Sequence, residues 1–257
     1  MQVEILGCSG GIGCGFRTTS MLVDEDILID CGTGVGDLTL ERMNKIKHLF
    51  LTHSHLDHIT FLPFLADTAF EALREKPLTI YLQVETLEVL KTHIFNWKVW
   101  PDFGVLPDAD NPVLRYQIIR PGDVLDVDGR KIEAIAAAHT IPTLGYRVES
   151  SNGNAFAYTG DCCGNNTFWQ ALNAHSQLNY LFAECAFPDR EKVLAKRAGH
   201  YSSSVLVKDL SKLQLHPKIS ITHMTPDMQT EIMGELTSQL PDYNFRGLKR
   251  GDIFTLK

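Results

Sequence analysis

Four side chains able to hold a metal ion fall within six residues, in His53-Ser54-His55-Leu56-Asp57-His58, directly after the apolar run 46–51. On an extended backbone side chains alternate with period two, so His53 and His55 point to one side. Asp57 and His58 follow where the chain turns into a helix. Neutral imidazole nitrogen and carboxylate oxygen are the usual donors for zinc and similar divalent ions. The chain has ten histidines in 257 residues, so three in six is a local concentration. A strand that ends in such a cluster constrains the fold, because the remaining ligands must arrive from elsewhere.

Three further candidates each close an apolar strand. His139 follows 132–138, Asp161 follows 156–160 and His223 follows 219–222. Alone, His139 or His223 reads as a structural histidine. At matching strand ends, and added to the first cluster, they complete a set of seven.

Strand patterns occur at 2–7, 20–24, 26–30, 48–52, 78–82, 131–137, 144–149, 155–159, 179–184, 218–222 and 252–256. Helical spacing occurs at 38–44, 61–74, 84–96, 203–213 and 227–240. Asp128-Gly129 and Asn152-Gly153 are hairpin turn signals. The stretch 102–112 is rich in Pro, Gly and Asp and reads as a surface loop. Strand runs with interspersed helices predict an α/β fold: two mixed sheets covered by helices on both outer faces, in one domain over 1–257. With 44% hydrophobic residues, a core for that fold is available.

A net charge of -7 without runs of Lys or Arg argues against a general nucleic-acid binder. The cysteines Cys8, Cys14, Cys31, Cys162, Cys163 and Cys185 show no CxxC spacing and read as reduced thiols. Residues 1–7 read as a first strand, not a signal peptide. No apolar stretch approaches the ~20 residues of a membrane span. A soluble, cytoplasmic protein is expected.

The HxHxDH motif at 53–58, with His139, Asp161 and His223, resembles the metallo-β-lactamase superfamily. The segments 6–11 and 29–32 are also similar to it, and the match runs in order along nearly the whole chain. The resemblance implies an αββα sandwich with two metal ions at the sheet edge. It implies that His53, His55 and His139 hold one ion, that Asp57, His58 and His223 hold the other, and that Asp161 bridges them. Zinc is the first expectation, but with no thiolate among the ligands the set does not select it strongly, and manganese or iron stays open. Asp30 is a candidate to steady the ligand loop, or a turn cap.

Two more residues narrow the chemistry. Glu184 closes the run 180–183, and His200 sits in Gly199-His200-Tyr201. A carboxylate can orient an imidazole and raise its pKa, making it an acid for a departing alkoxide. Both segments resemble the phosphodiesterase branch of the superfamily: class II cyclic-nucleotide phosphodiesterases and ribonuclease Z. Leu56 within the motif, 96–103 and 221–226 are similar to the cyclic-nucleotide enzymes. Phe61 departs from them, since a glycine is usual there, and 139–147 resembles the ribonuclease. No long Gly- and basic-rich insertion of the ribonuclease type is present.

The expected activity is hydrolysis of a 3′,5′-cyclic nucleotide, cAMP foremost, to the 5′-monophosphate. A metal-bridging hydroxide would attack, with Asp57, Glu184 and His200 as catalytic groups. An RNA phosphodiesterase is the alternative, and a metal-loaded sensor without turnover a third reading. A homodimer is expected from the same resemblance. Trp97, Trp100 and Phe103 offer faces on which a base could stack, against an ordinary role in the core. His48, His93, His175 and His216 read as surface or structural.

Overall fold

Period-two alternation divides the apolar side chains of most strands between two buried layers, and this sets the architecture. A computed structural model describes residues 1–257. The first sheet holds β1 (Gln2–Gly7), β2 (Ser20–Val23), β3 (Ile27–Ile29), β4 (His48–Phe50), β5 (Leu78–Leu82) and β6 (Leu114–Ile118). The second holds β7 (Val124–Val127), β8 (Arg130–Ala137), β9 (Thr143–Glu149), β10 (Ala155–Tyr158), β11 (Tyr180–Glu184), β12 (Lys218–Thr222) and β13 (Arg246–Gly247). β14 (Ile253–Thr255) returns to the first sheet beside β1. The spatial orders are β14-β1-β2-β3-β4-β5-β6 and β13-β12-β11-β10-β9-β8-β7. Each sheet joins three antiparallel pairings to three parallel ones, so the two halves mirror one another in plan.

Five helices belong to the first half: α1 (Leu40–Met43), α2 (Leu56–Ile59), α3 (Leu62–Thr68), α4 (Phe70–Glu75) and α5 (Val84–Val89). Four belong to the second: α6 (Thr167–Asn173), α7 (Lys192–Ala198), α8 (Ser203–Leu210) and α9 (Gln229–Gln239). Three apolar clusters separate the layers. Ile5, Met21, Ile29 and Phe50 face Tyr146, Phe156, Tyr158 and Phe182 between the sheets. Leu28, Leu49 and Ile80 pack outward on Leu62, Leu65 and Leu73. Leu181, Ala183 and Ile221 pack outward on Trp169, Leu206 and Ile232. The order is therefore α/β/β/α, the predicted sandwich.

Three strands and three helices lie outside the sequence patterns: β6, β7, β13, α2, α6 and α7. The helical stretch 61–74 is two short helices meeting at Ala69, and 84–96 is α5 followed by a π turn at Leu90–Ile94. Asp128-Gly129 joins β7 to β8 with φ of 51° and 80°, the doubly positive turn that suits a hairpin. Residues 150–154, with Gly153 at φ 82°, join β9 to β10.

Strand direction fixes the site. β8 is antiparallel to β9, which is antiparallel to β10, while β10, β11 and β12 run parallel. The carboxyl ends of β8, β10, β11 and β12 therefore share one edge. At the other edge Arg130, where β8 begins, clamps the turn between β2 and β3. Its Nη1 donates to Asp26 Oδ1 at 2.6 Å and Asp24 Oδ2 at 3.1 Å, and its Nη2 donates to Asp26 Oδ2 at 3.0 Å.

Burial would raise the Asp26 pKa, but the bonds and charge of Arg130 outweigh it and hold the carboxyl below its ordinary value. A depressed carboxyl stabilises the fold above its unfolded pKa, about 4, and loses that contribution as pH falls through the lower folded value. Arg130→Ala is expected to cost about 1–2 kcal/mol at pH 7, solvent screening at the rim keeping it below a buried pair. In denaturant titrations the gap to wild type should narrow between about pH 4 and pH 2.

Candidate metal centre

β4 delivers the first ligand loop, and β5 beside it together with β9 of the second sheet holds that loop in place. Leu51 N donates to Tyr81 O at 3.0 Å, Tyr146 Oη donates to Leu51 O at 2.6 Å, and Leu144 N donates to Thr52 O at 3.0 Å. His53 follows, His55 stands in extended conformation just before α2, Asp57 lies in the first turn of α2 and His58 in its last. Gly32 lets the loop pack this closely: a Cβ there would lie 2.3 Å from Asp57 O and 2.6 Å from Thr18 Oγ1.

All seven predicted ligands come together at this edge. Donor atoms of His53, His55, His139 and Asp161 lie within 4.8 Å of one another, as do those of Asp57, His58, Asp161 and His223. Asp161 belongs to both groups. Its Oδ2 is 3.2 Å from Nε2 of His58, 3.2 Å from Nε2 of His223 and 3.7 Å from Nε2 of His53. His139 Nε2 is 3.1 Å from His55 Nδ1, and Asp57 Oδ2 is 3.0 Å from His223 Nε2. A third group, Asp26, His48 and Asp128, lies at the opposite edge, where Arg130 already neutralises Asp26.

Hydrogen bonds behind the cluster set which nitrogen faces it. His58 Nδ1 donates to Asp30 Oδ2 at 2.7 Å, and His139 Nδ1 donates to Gly199 O at 2.9 Å. Thr52 Oγ1 donates to Asp30 and accepts from His53 Nδ1 at 2.9 Å. Each of these rings therefore turns its Nε2 inward, the arrangement that ligating histidines use. Asp30, fully buried, also accepts from Thr52 N at 2.8 Å, so it braces the loop as a carboxylate behind the ligands.

Charge and desolvation fit a cation. Asp161 is 1% exposed, and His53 Nε2 and Asp161 Oδ1 are buried without a hydrogen-bond partner. Burial lowers the pKa of His53 strongly and takes His139 down to about 4. Burial would lower His58 and His223 too, but Asp161 and Asp57 outweigh it, taking His223 to about 9. Burial works against ionisation of Asp57 and Asp161, yet His58 and His223 hold both below the carboxylate range. Anionic oxygens and inward ring nitrogens around unsatisfied buried atoms suit divalent metal binding.

Glu184 and His200 meet beside this cluster. Glu184, fully buried at the end of β11, accepts at Oε1 from His200 Nδ1 (3.0 Å), Cys162 N (2.9 Å) and Tyr201 N (3.3 Å), and at Oε2 from Ala186 N (3.1 Å). The His200 ring lies 4.9 Å from that of His139 and 5.2 Å from that of His223. Burial lowers its pKa, but the Glu184 carboxylate prevails and raises it.

Of the aromatic candidates, Phe103 is a core residue, Trp100 packs on Phe64, and Trp97 is 62% exposed. His48 bonds Tyr81 and His175 bonds Glu133, structural roles away from the cluster. Sequence reasoning missed Thr52 and Gly199 as orienting groups. The signal for Gly199 was available: it ends α7 at φ 75°, where glycine is favoured.

Asp30→Asn keeps the shape but weakens the acceptor for His58 and Thr52. A loss of roughly 10–100-fold in affinity for zinc is expected, read by competition with a chromophoric chelator.

Comparison with known proteins agrees with this geometry. A family model described as "Beta-lactamase superfamily domain" matches residues 25–239. A "Probable 3′,5′-cyclic-nucleotide phosphodiesterase" of Yersinia pestis is 26% identical over 96% of this chain and 85% of its own length. A "Ribonuclease Z" of Haloarcula marismortui is 32% identical over 59% of this chain, which spans 48% of that relative. Unliganded yeast PDE1 superposes with a TM-score of 0.84 at 19% identity, covering 99% of both chains. The short form of human tRNase Z gives 0.68 at 19% identity over the whole of both chains. At such identities the solved structures speak for the fold alone. With the family model covering most of its length, this chain belongs to the β-lactamase superfamily.

Proposed function

We propose that this protein is a phosphodiesterase that hydrolyses 3′,5′-cyclic nucleotides, cAMP foremost, to 5′-monophosphates. The observation that carries the reading is the Glu184–His200 pair beside two His/Asp groups that share Asp161. The Yersinia pestis relative supports it, since it matches nearly the whole chain. Residues 1–257 would act as one domain, because both groups draw ligands from both halves. Two divalent ions, zinc first, would be held by His53, His55 and His139 and by Asp57, His58 and His223, with Asp161 between. Bound there, they would supply water of lowered pKa and neutralise phosphate charge.

The chain's own groups would then do the following. His200 keeps Nδ1–H on Glu184, which leaves Nε2 to carry a proton to the ribose 3′ oxygen as its bond to phosphorus breaks. Its side chain is 14% exposed, enough for substrate to reach it. Asp57 Oδ2 would take the proton released by the attacking water. The broken bond leaves a 3′ hydroxyl and a 5′-monophosphate. A cytoplasmic location is part of the same reading and accords with six unpaired cysteines. A homodimer belongs to it through the phosphodiesterase relatives.

A second reading, RNA cleavage, is favoured by the ribonuclease relatives, up to 32% identical over part of the chain. The net charge of -7 weighs against a long polyanion.

With zinc or manganese supplied, 5′-AMP should form from cAMP, and His53→Ala should abolish it. His200→Ala should lower kcat by roughly 10²–10⁴ at unchanged metal content. Chromatography of the products and metal analysis check both. No turnover by protein holding two ions would remove the cyclic nucleotide and make RNA the next substrate.

A further inference from the structure

Asp209 sits in the last turn of α8, where the helix dipole disfavours a negative charge, and it is 2% exposed. A carboxylate in such a place needs several donors. Its Oδ2 accepts from Tyr201 Oη at 2.7 Å, Asn165 N at 2.7 Å and Trp169 Nε1 at 3.2 Å, while Lys212 pairs with Oδ1. None of these residues belongs to the metal cluster, yet they hold the segments that carry it.

Tyr201 is fully buried and fixed at both ends. Its phenol is held by Asp209, and its backbone N–H donates to the Glu184 oxygen that also accepts from His200. Asn165 is fixed in the same way, with N on Asp209 and Nδ2 donating to Ala136 O at 3.1 Å, near the end of β8 before His139. Glu184 Oε1 also accepts from Cys162 N, directly after Asp161.

We propose that Asp209 is a positioning residue: through Tyr201 and Asn165 it clamps the His200 loop, and the loop following Asp161, at a fixed setting over the metal cluster. Its consequence for turnover rests on the phosphodiesterase reading, in which His200 protonates the leaving oxygen. Removing the clamp should leave the fold and the ligands in place but let the His200 ring wander from Glu184.

The test follows the Nδ1–H proton of His200 by NMR in zinc-loaded protein carrying isotope-labelled histidine. The signal is identified by its loss in His200→Ala, and the His58 Nδ1–H on Asp30 is the internal reference. Asp209→Ala risks unfolding, so Tyr201→Phe, which removes one hydroxyl, and Asp209→Asn are used. In both, the His200 proton should exchange with solvent roughly tenfold faster while that of His58 is unchanged. On cAMP, kcat should fall roughly tenfold with KM nearly constant. Hydrolysis of bis(p-nitrophenyl) phosphate should stay at the wild-type rate, because p-nitrophenolate departs without a proton.

An unchanged His200 proton in both variants, or one already in fast exchange in the wild type, would overturn the clamp. Equal acceleration at His58 would also overturn it, by showing general loosening. Wild-type protein that ignores cAMP would instead defeat the cyclic-nucleotide reading, while the exchange data still decide the clamp.

Discussion

A carboxylate buried as deeply as Asp161 costs several kcal/mol unless positive charge or donors surround it. Here it faces the Nε2 atoms of His53, His58 and His223, and one of its oxygens has no hydrogen-bond donor at all. Much of the structure serves that one compensation. The parallel run β10–β12 brings Asp161, Glu184 and His223 to one edge, and β4 brings the histidine loop to meet them. The dry layer between the sheets, built on Phe50, Tyr146, Phe156 and Phe182, makes the meeting rigid.

Rigidity at the centre is carried by partners drawn from different segments. His53 is set by Thr52, His58 by Asp30 and His139 by Gly199. Asp30 itself holds positive φ (58°), as does His223, so two of the loops that present donors carry backbone strain. An imidazole whose outer nitrogen is already bonded to a buried group cannot change tautomer cheaply. The inward setting of these ring nitrogens is therefore a property of the fold and precedes any ion.

The seven candidate ligands stood out in the sequence because each closes or follows an apolar strand, and strand alternation is a short-range signal. What escaped was polar, short or long-range. β6 (Leu-Arg-Tyr-Gln-Ile) is an edge strand with Arg115 and Gln117 outward, and β13 is two residues, one of them glycine. α7 leaves Val193 and Leu194 exposed and buries only Ala195, so no apolar stripe marks it. Asp209 reads as a solvated helix residue, because the donors that bury it lie 8, 40 and 44 positions away. The direction of the His200 ring is likewise fixed by groups that no spacing rule connects to it.

Neither half of the chain carries a complete donor group. His53 and His55 come from the first half, and His139 and Asp161 from the second. Asp57 and His58 likewise meet Asp161 and His223 across the same boundary. Each sheet alone would expose the face that the other covers, and with it the unmatched donors. Packing of the two sheets and assembly of the centre are thus one event. A cation that binds the assembled donors and not the separated ones adds its binding free energy to the contact between the halves. The plan in which each sheet repeats the pairings of the other has this consequence: the interface that stabilises the fold is also where the two halves assemble the candidate metal centre.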